Sequence, residues 1–170
     1  MSDIKNIISA EVINPLYKKR TIYKNIATFC NFFVANTLCK INGRYDLFHS
    51  NGIIPYTANQ MLNVLINNPF FKQIGLSDVK EVLLKGGVVI CGCKRSGHGH
   101  VAFVVDGEWE YSLTHKRKLP MVANVGAENS IRKLSWFFRS TDDIWYFECK
   151  LTDSPVDKTR GNNYNITHGY

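Results

Sequence analysis

A cysteine at a helix start and a histidine at the head of an apolar strand are the residues of this 170-residue chain best placed for chemistry. Five cysteines are present, and Cys30 stands apart from the others by position. It falls in the first turn of a buried helix predicted over residues 28–40, TFCNFFVANTLCK, with Thr28 as the expected N-cap. A helix N-terminus carries unpaired N–H groups and partial positive charge. Both favour a thiolate, and the same N–H groups can cradle an oxyanion. A thiol nucleophile also needs a base within reach. The best base lies in KRSGHGHVAFVV, where His100 immediately precedes the run Val101 to Val105. A core strand beginning there would fix its imidazole. His98 sits in the glycine-flanked loop before it and reads as a rim residue. A third polar group should orient the ring. Asn124, inside the apolar stretch PMVANVG, is awkward there without a partner and could accept from the imidazole. Glu128, past Gly126, is its rival. His98, Asn59 and Trp136 are candidates for the walls of a substrate groove. A thiol and an imidazole call for no cofactor.

A second reading of the same segment is metal binding. Cys91, Cys93, His98 and His100 form C-x-C-x4-H-x-H, and two thiolates with two imidazoles could hold a tetrahedral zinc. Structural zinc sites usually separate paired cysteines by two or more residues, and here the C-x-C falls inside a predicted core strand. Cys39, Cys91, Cys93 and Cys149 read most simply as buried small hydrophobes. A nucleic-acid module is the other non-enzymatic alternative, but no basic stripe with regular aromatic interleaving and no recognition signature is visible.

The elements that must position these residues follow from periodicity and punctuation. Ile4, Ile7, Ile8 and Val12 recur at helical spacing over residues 3–13, with Pro15 beyond as a stop. Residues 17–25 carry Lys18, Lys19, Arg20 and Lys24 and read as an exposed basic connection. Residues 57–68 read as a helix capped by Thr57 and closed before Pro69. Ser77 and Asp78 open a short helix ending at Gly86–Gly87. From there the chain turns to strand-like runs: GVVICGCK, HVAFVVDGEWEYS with a hairpin expected at Asp106–Gly107, PMVANVG, KLSWFFRS and IWYFECK. Helices first and strands second predict α+β architecture, with a helical half packed on an antiparallel sheet. Residues 1–150 read as one domain and 151–170 as a polar tail.

Composition bounds the rest. The chain is 45% hydrophobic and 21% charged, which excludes a disordered, coiled-coil or collagen-like polymer. No apolar run approaches the length of a membrane span. A net charge of +7 suits an anionic partner such as nucleic acid, a membrane surface or a wall polymer. Asp3, Lys5, Asn6 and Glu11 interrupt the N-terminal apolar residues, so no secretory leader is expected. Synthesis in a reducing cytoplasm follows.

TFCN at 28–31, TANQM at 57–61, GGVVI at 86–90 and GHGHVAFVV at 97–105 resemble papain-like cell-wall hydrolases, the CHAP and NlpC/P60 amidase-peptidases. ANVGAEN at 123–129 and SWFFRS at 135–140 resemble the later strands of such domains. The resemblance spans roughly residues 25–147. It implies a papain-like fold, with Cys30 as nucleophile, His100 as base and Asn124 as third residue. It implies peptidoglycan as substrate, cut at an amide bond. Action at the bacterial wall would then need release or non-classical secretion, with a delivery or immunity protein as a possible partner. A cysteine protease or transferase acting on a protein substrate is the alternative enzyme.

Overall fold

The computed structural model describes residues 2–17, 20–22, 25–27, 29–43, 47–50 and 54–150. Helix α1 spans Ser2–Val12. It buries Ile8 and Val12, as their spacing requires. A short 3-10 turn at Pro15–Tyr17 follows. Residues 17–25, expected to be a bare connection, instead open a two-stranded antiparallel ribbon, β1 (Arg20–Ile22) with β2 (Asn25–Ala27). Lys18, Lys19 and Lys24 lie outside the described residues.

Helix α2 spans Cys30–Asn42. Its N-cap is Phe29, which offers no capping side chain, and Thr28 is outside the described residues. The helix stops at Gly43, whose φ of 73° turns the chain into the left-handed region while its N–H bonds Cys39 O. A second small ribbon joins β3 (His49–Ser50) to β4 (Ile54–Pro55). Helix α3, Ala58–Asn67, starts with a full capping box: Gln60 N–H bonds the Thr57 hydroxyl and the Gln60 side chain accepts from Thr57 N–H. Helix α4, Leu76–Leu84, buries Val79.

The main sheet has six strands, all antiparallel, in the order β5-β10-β6-β7-β8-β9. They are β5 (Phe71–Ile74), β6 (Val88–Cys93), β7 (His100–Ser112), β8 (Arg117–Asn124), β9 (Ser130–Lys133) and β10 (Trp145–Cys149). One face packs on α1, α2 and α3 through Val101, Phe103, Val105, Ile90 and Phe147. Phe33 of α2 meets Phe103 edge-on, with ring centroids 5.6 Å apart. The other face packs on α4 and the segment 134–144 through Val89, Cys91, Cys93, Val104 and Val122. Burial on both faces is why β6 reads as an unbroken apolar run rather than an alternation.

Three expectations need correction. Asp106–Gly107 is no hairpin: β7 runs through it to Ser112, and the register against β8 shifts between Val105 and Glu110. The dipeptide marks a strand irregularity, where Met121 packs close beside Gly107. The hairpin turn lies at residues 113–116, which lack an Asp-Gly signal. Residues 133–140 are not a strand: β9 ends at Lys133 and a 3-10 turn, Leu134–Trp136, follows. Helices and strands also interleave, because β5 falls between α3 and α4 and closes the sheet edge beside β10. The polar tail 151–170 lies outside the described residues. No helix among the described residues is long and apolar enough to cross a membrane.

Candidate active site

Cys30 is the first residue of α2 and is 5% exposed. Because Phe29 caps nothing, the first-turn amides remain for other partners. The backbone amides of Cys30 itself, of Asn31 and of Val101 favour the charged form of the Cys30 sulfur. The last of these belongs to the peptide that links His100 to Val101. The start of α2 thus packs near the start of β7, the strand that His100 opens. The first turn is also anchored sideways: Asn31 Nδ2 donates to Tyr56 O at 2.9 Å. Burial pushes the Cys30 thiol up, and the three amides and the nearby Arg95 charge offset only part of that rise. The resting group is a thiol.

His100 opens β7, directly across from Cys93 on β6. Its Nε2 lies 2.6 Å from Asn124 Oδ1. Asn124 is 1% exposed, and its Nδ2 donates to Glu128 O at 2.8 Å. A carbonyl only accepts, so this bond fixes which end of the Asn124 amide faces the ring. The oxygen faces His100, so Nε2 carries the proton and donates. In the neutral ring the remaining nitrogen, Nδ1, then holds a free electron pair. Burial of the ring pulls the His100 pKa down to about 4, against an upward push from Asn124 and a further downward push from Arg95. At neutral pH the ring therefore rests neutral, with its proton on Nε2. The Phe138 ring packs on the imidazole with centroids 5.0 Å apart.

The rivalry for the third position resolves in favour of Asn124 as the imidazole's side-chain partner. The Glu128 carboxylate is turned outward to Ser130 Oγ and Arg132, each at 3.1 Å. Glu128 contributes its main-chain carbonyl, which orients Asn124.

The groove candidates fare differently. Asn59 reaches in from α3 and donates from Nδ2 to Arg95 O at 3.1 Å and Gly97 O at 3.4 Å. It braces the loop before His100 rather than lining a wall. That loop has no room for a side chain at Gly99, where a Cβ would sit 2.2 Å from Asn59 Oδ1 and 2.9 Å from Cys93 O. His98 is exposed in the same loop. Trp136 is 61% exposed, with the Arg132 guanidinium 4.7 Å above its ring. Neither joins the Cys30–His100–Asn124 group.

The zinc alternative lacks its ligand set. Cys91 and Cys93 are fully buried under α4 while His98 faces outward, and no group of three or more metal-ligating side chains gathers among the described residues. All five cysteines are free thiols. Burial pushes Cys91 and Cys149 well up, as suits inert core thiols.

Sequence reasoning missed Phe138, which packs on the His100 ring, and Arg95 and Asp142, whose charges act on it. The first was assigned to a strand. Arg95 and Asp142 are 47 residues apart and pair only through the fold.

The chain matches no protein-family model, and no curated protein sequence matches it.

Proposed function

We propose that this protein is a papain-like cysteine amidase or peptidase that hydrolyses an amide bond of bacterial peptidoglycan. The observation that carries this reading is the 2.6 Å contact between His100 Nε2 and a fixed Asn124 oxygen, with Cys30 and Val101, the residue after His100, in one core cluster. In this mechanism His100 Nδ1 takes the Cys30 proton as Sγ attacks the substrate carbonyl. First-turn amides of α2 donate to the oxyanion. The imidazolium, held by Asn124, protonates the leaving amine. Water then cleaves the thioester with His100 as base. The α+β architecture, with a nucleophile helix against an antiparallel sheet, agrees with this reading. The +7 charge favours an anionic wall polymer over a neutral substrate.

The test is digestion of purified peptidoglycan by wild type and Cys30→Ala, with fragments identified by mass spectrometry. Fragments from the wild type alone support the reading and name the bond. No fragments from either protein would sink the wall substrate, and equal digestion by both would remove Cys30 from its role. Cleavage of a protein substrate with an inert wall would move the same chemistry to the protease reading.

A further inference from the structure

We propose that Arg95 and Asp142 are positioning residues for His100, forming with Phe138 and Cys93 a second clamp on the base in addition to Asn124. The inference rests on the Cys30–His100 chemistry proposed above. Arg95 leaves β6 two residues after Cys93 and grips Asp142 with both arms, Nε to Oδ1 at 3.1 Å and Nη2 to Oδ2 at 2.5 Å. Its Nη2 also reaches Phe137 O at 3.4 Å, which fixes the chain just before Phe138 on the imidazole. Asp142 is held in turn by the Arg139 amide at 2.7 Å, and its charge acts on the thiol of Cys93, the residue across from His100. Asn59 secures the Arg95 carbonyl, so the loop leading into His100 is tied at both its side chain and its backbone.

The pair is partly sequestered, with side-chain exposures of 26% for Arg95 and 7% for Asp142. Taking two charges out of water is a weak way to stabilise a fold. Its placement beside the base indicates a functional use. The charged groups acting on His100 are Arg95, which disfavours the imidazolium, and Asp142, which favours it. Cys93 and Asn124 face it as neutral partners. Arg95 also favours the Cys30 thiolate. Arg95 thus adds to burial in keeping the imidazole neutral while favouring the thiolate, and Asp142 holds Arg95 in place.

The test uses the full chain labelled at histidine Cε1, with the His100 resonance assigned from His100→Gln. Arg95→Met and Asp142→Asn are titrated by NMR, and Cys30 alkylation by iodoacetamide is timed alongside. The His100 midpoint is expected to rise in Arg95→Met and not to rise in Asp142→Asn. A purely structural brace would not give effects of opposite sense. Alkylation is expected to slow roughly tenfold to a hundredfold in Arg95→Met, with Arg95→Lys intermediate. An unchanged His100 midpoint and alkylation rate in a folded Arg95→Met would overturn the proposal. Should that variant not fold, a rise in the midpoint for Asp142→Asn would overturn it equally. Neither readout needs a wall substrate. A wild type that releases no peptidoglycan fragments would therefore sink the substrate reading and leave this clamp standing.

Discussion

Helices α2 and α3 lie in the same core layer and begin in opposite ways. The α3 terminus is sealed: the Thr57 hydroxyl and the Gln60 side chain occupy each other's backbone amides. The α2 terminus has no side-chain cap at Phe29, and its first-turn amides favour the charged form of the Cys30 sulfur. A sealed terminus favours stability, since each cap satisfies an orphan donor. An open one forgoes that gain and keeps donors available for a charge that forms during reaction. Under the proposed chemistry, the difference separates a helix that supports the site from one that supplies it.

The sharpest way to break the comparison is to remove the sulfur. Cys30→Ala is expected to lower hydrolysis by about 10³-fold or more, because the remaining machinery offers only binding and oxyanion stabilisation. Iodoacetamide mapping of the native wild type should label Cys30 before Cys91 and Cys149, which are buried in the sheet without a helix terminus. Faster labelling of either core thiol would show that the open terminus does not activate its cysteine.

Asn124→Ala comes next. It leaves the His100 ring free to turn and the Glu128 carbonyl without its donor. Turnover should fall about 10²-fold. Urea unfolding should show a loss of about 1–3 kcal/mol from the unpaired buried groups. A variant that loses stability but keeps its turnover would make Asn124 a core polar residue and nothing more.

The pH dependence of stability reports the base directly. The His100 pKa falls from an ordinary 6.5 unfolded to about 4 folded, so the unfolded chain binds the extra proton between those values. Its effect is absent above about pH 6.5. Stability is then lost as pH falls towards 4, by at most about 3 kcal/mol. Water at the exposed edge of the residue reduces that ceiling. Urea midpoints measured across this range for wild type and His100→Gln should diverge, with the variant losing this part of the slope. Parallel slopes would show that His100 titrates in the folded chain as it does in the unfolded one.

Local patterns in the chain carry more of this than long-range ones. Thr57 before its helix, the apolar run after His100 and the dense apolar residues of 28–40 each declare their element, because the physics acts within a turn or a strand. The same locality misleads at Asp106–Gly107, where a turn-forming pair sits in a strand because packing with Met121 overrides it. It also misleads at residues 133–140, whose aromatics suit a strand but serve a 3-10 turn that delivers Phe138 to the imidazole. Cys30, His100 and Asn124 could be singled out by residue type and context. The role of Asn59 as a loop brace and the pairing of Arg95 with Asp142 could not, since each depends on segments 36 and 47 residues apart.

The smallest expected effect tests the sealed terminus. Thr57→Ala removes the hydroxyl that accepts from Gln60 N–H and leaves the Gln60 side chain on the Thr57 amide. A loss of about 1 kcal/mol follows from the usual worth of a helix cap. Thr57 is exposed, so no cavity adds to that cost. The rate of Cys30 alkylation should not change, because the amides that serve the sulfur belong to α2 and β7. The two helix starts are nonetheless linked through Asn31, which donates to the carbonyl of Tyr56, the residue just before the cap. If Thr57→Ala slows alkylation as well as lowering the urea midpoint, the sealed terminus positions the open one through that bond. The division of labour between them would then be a single coupled device.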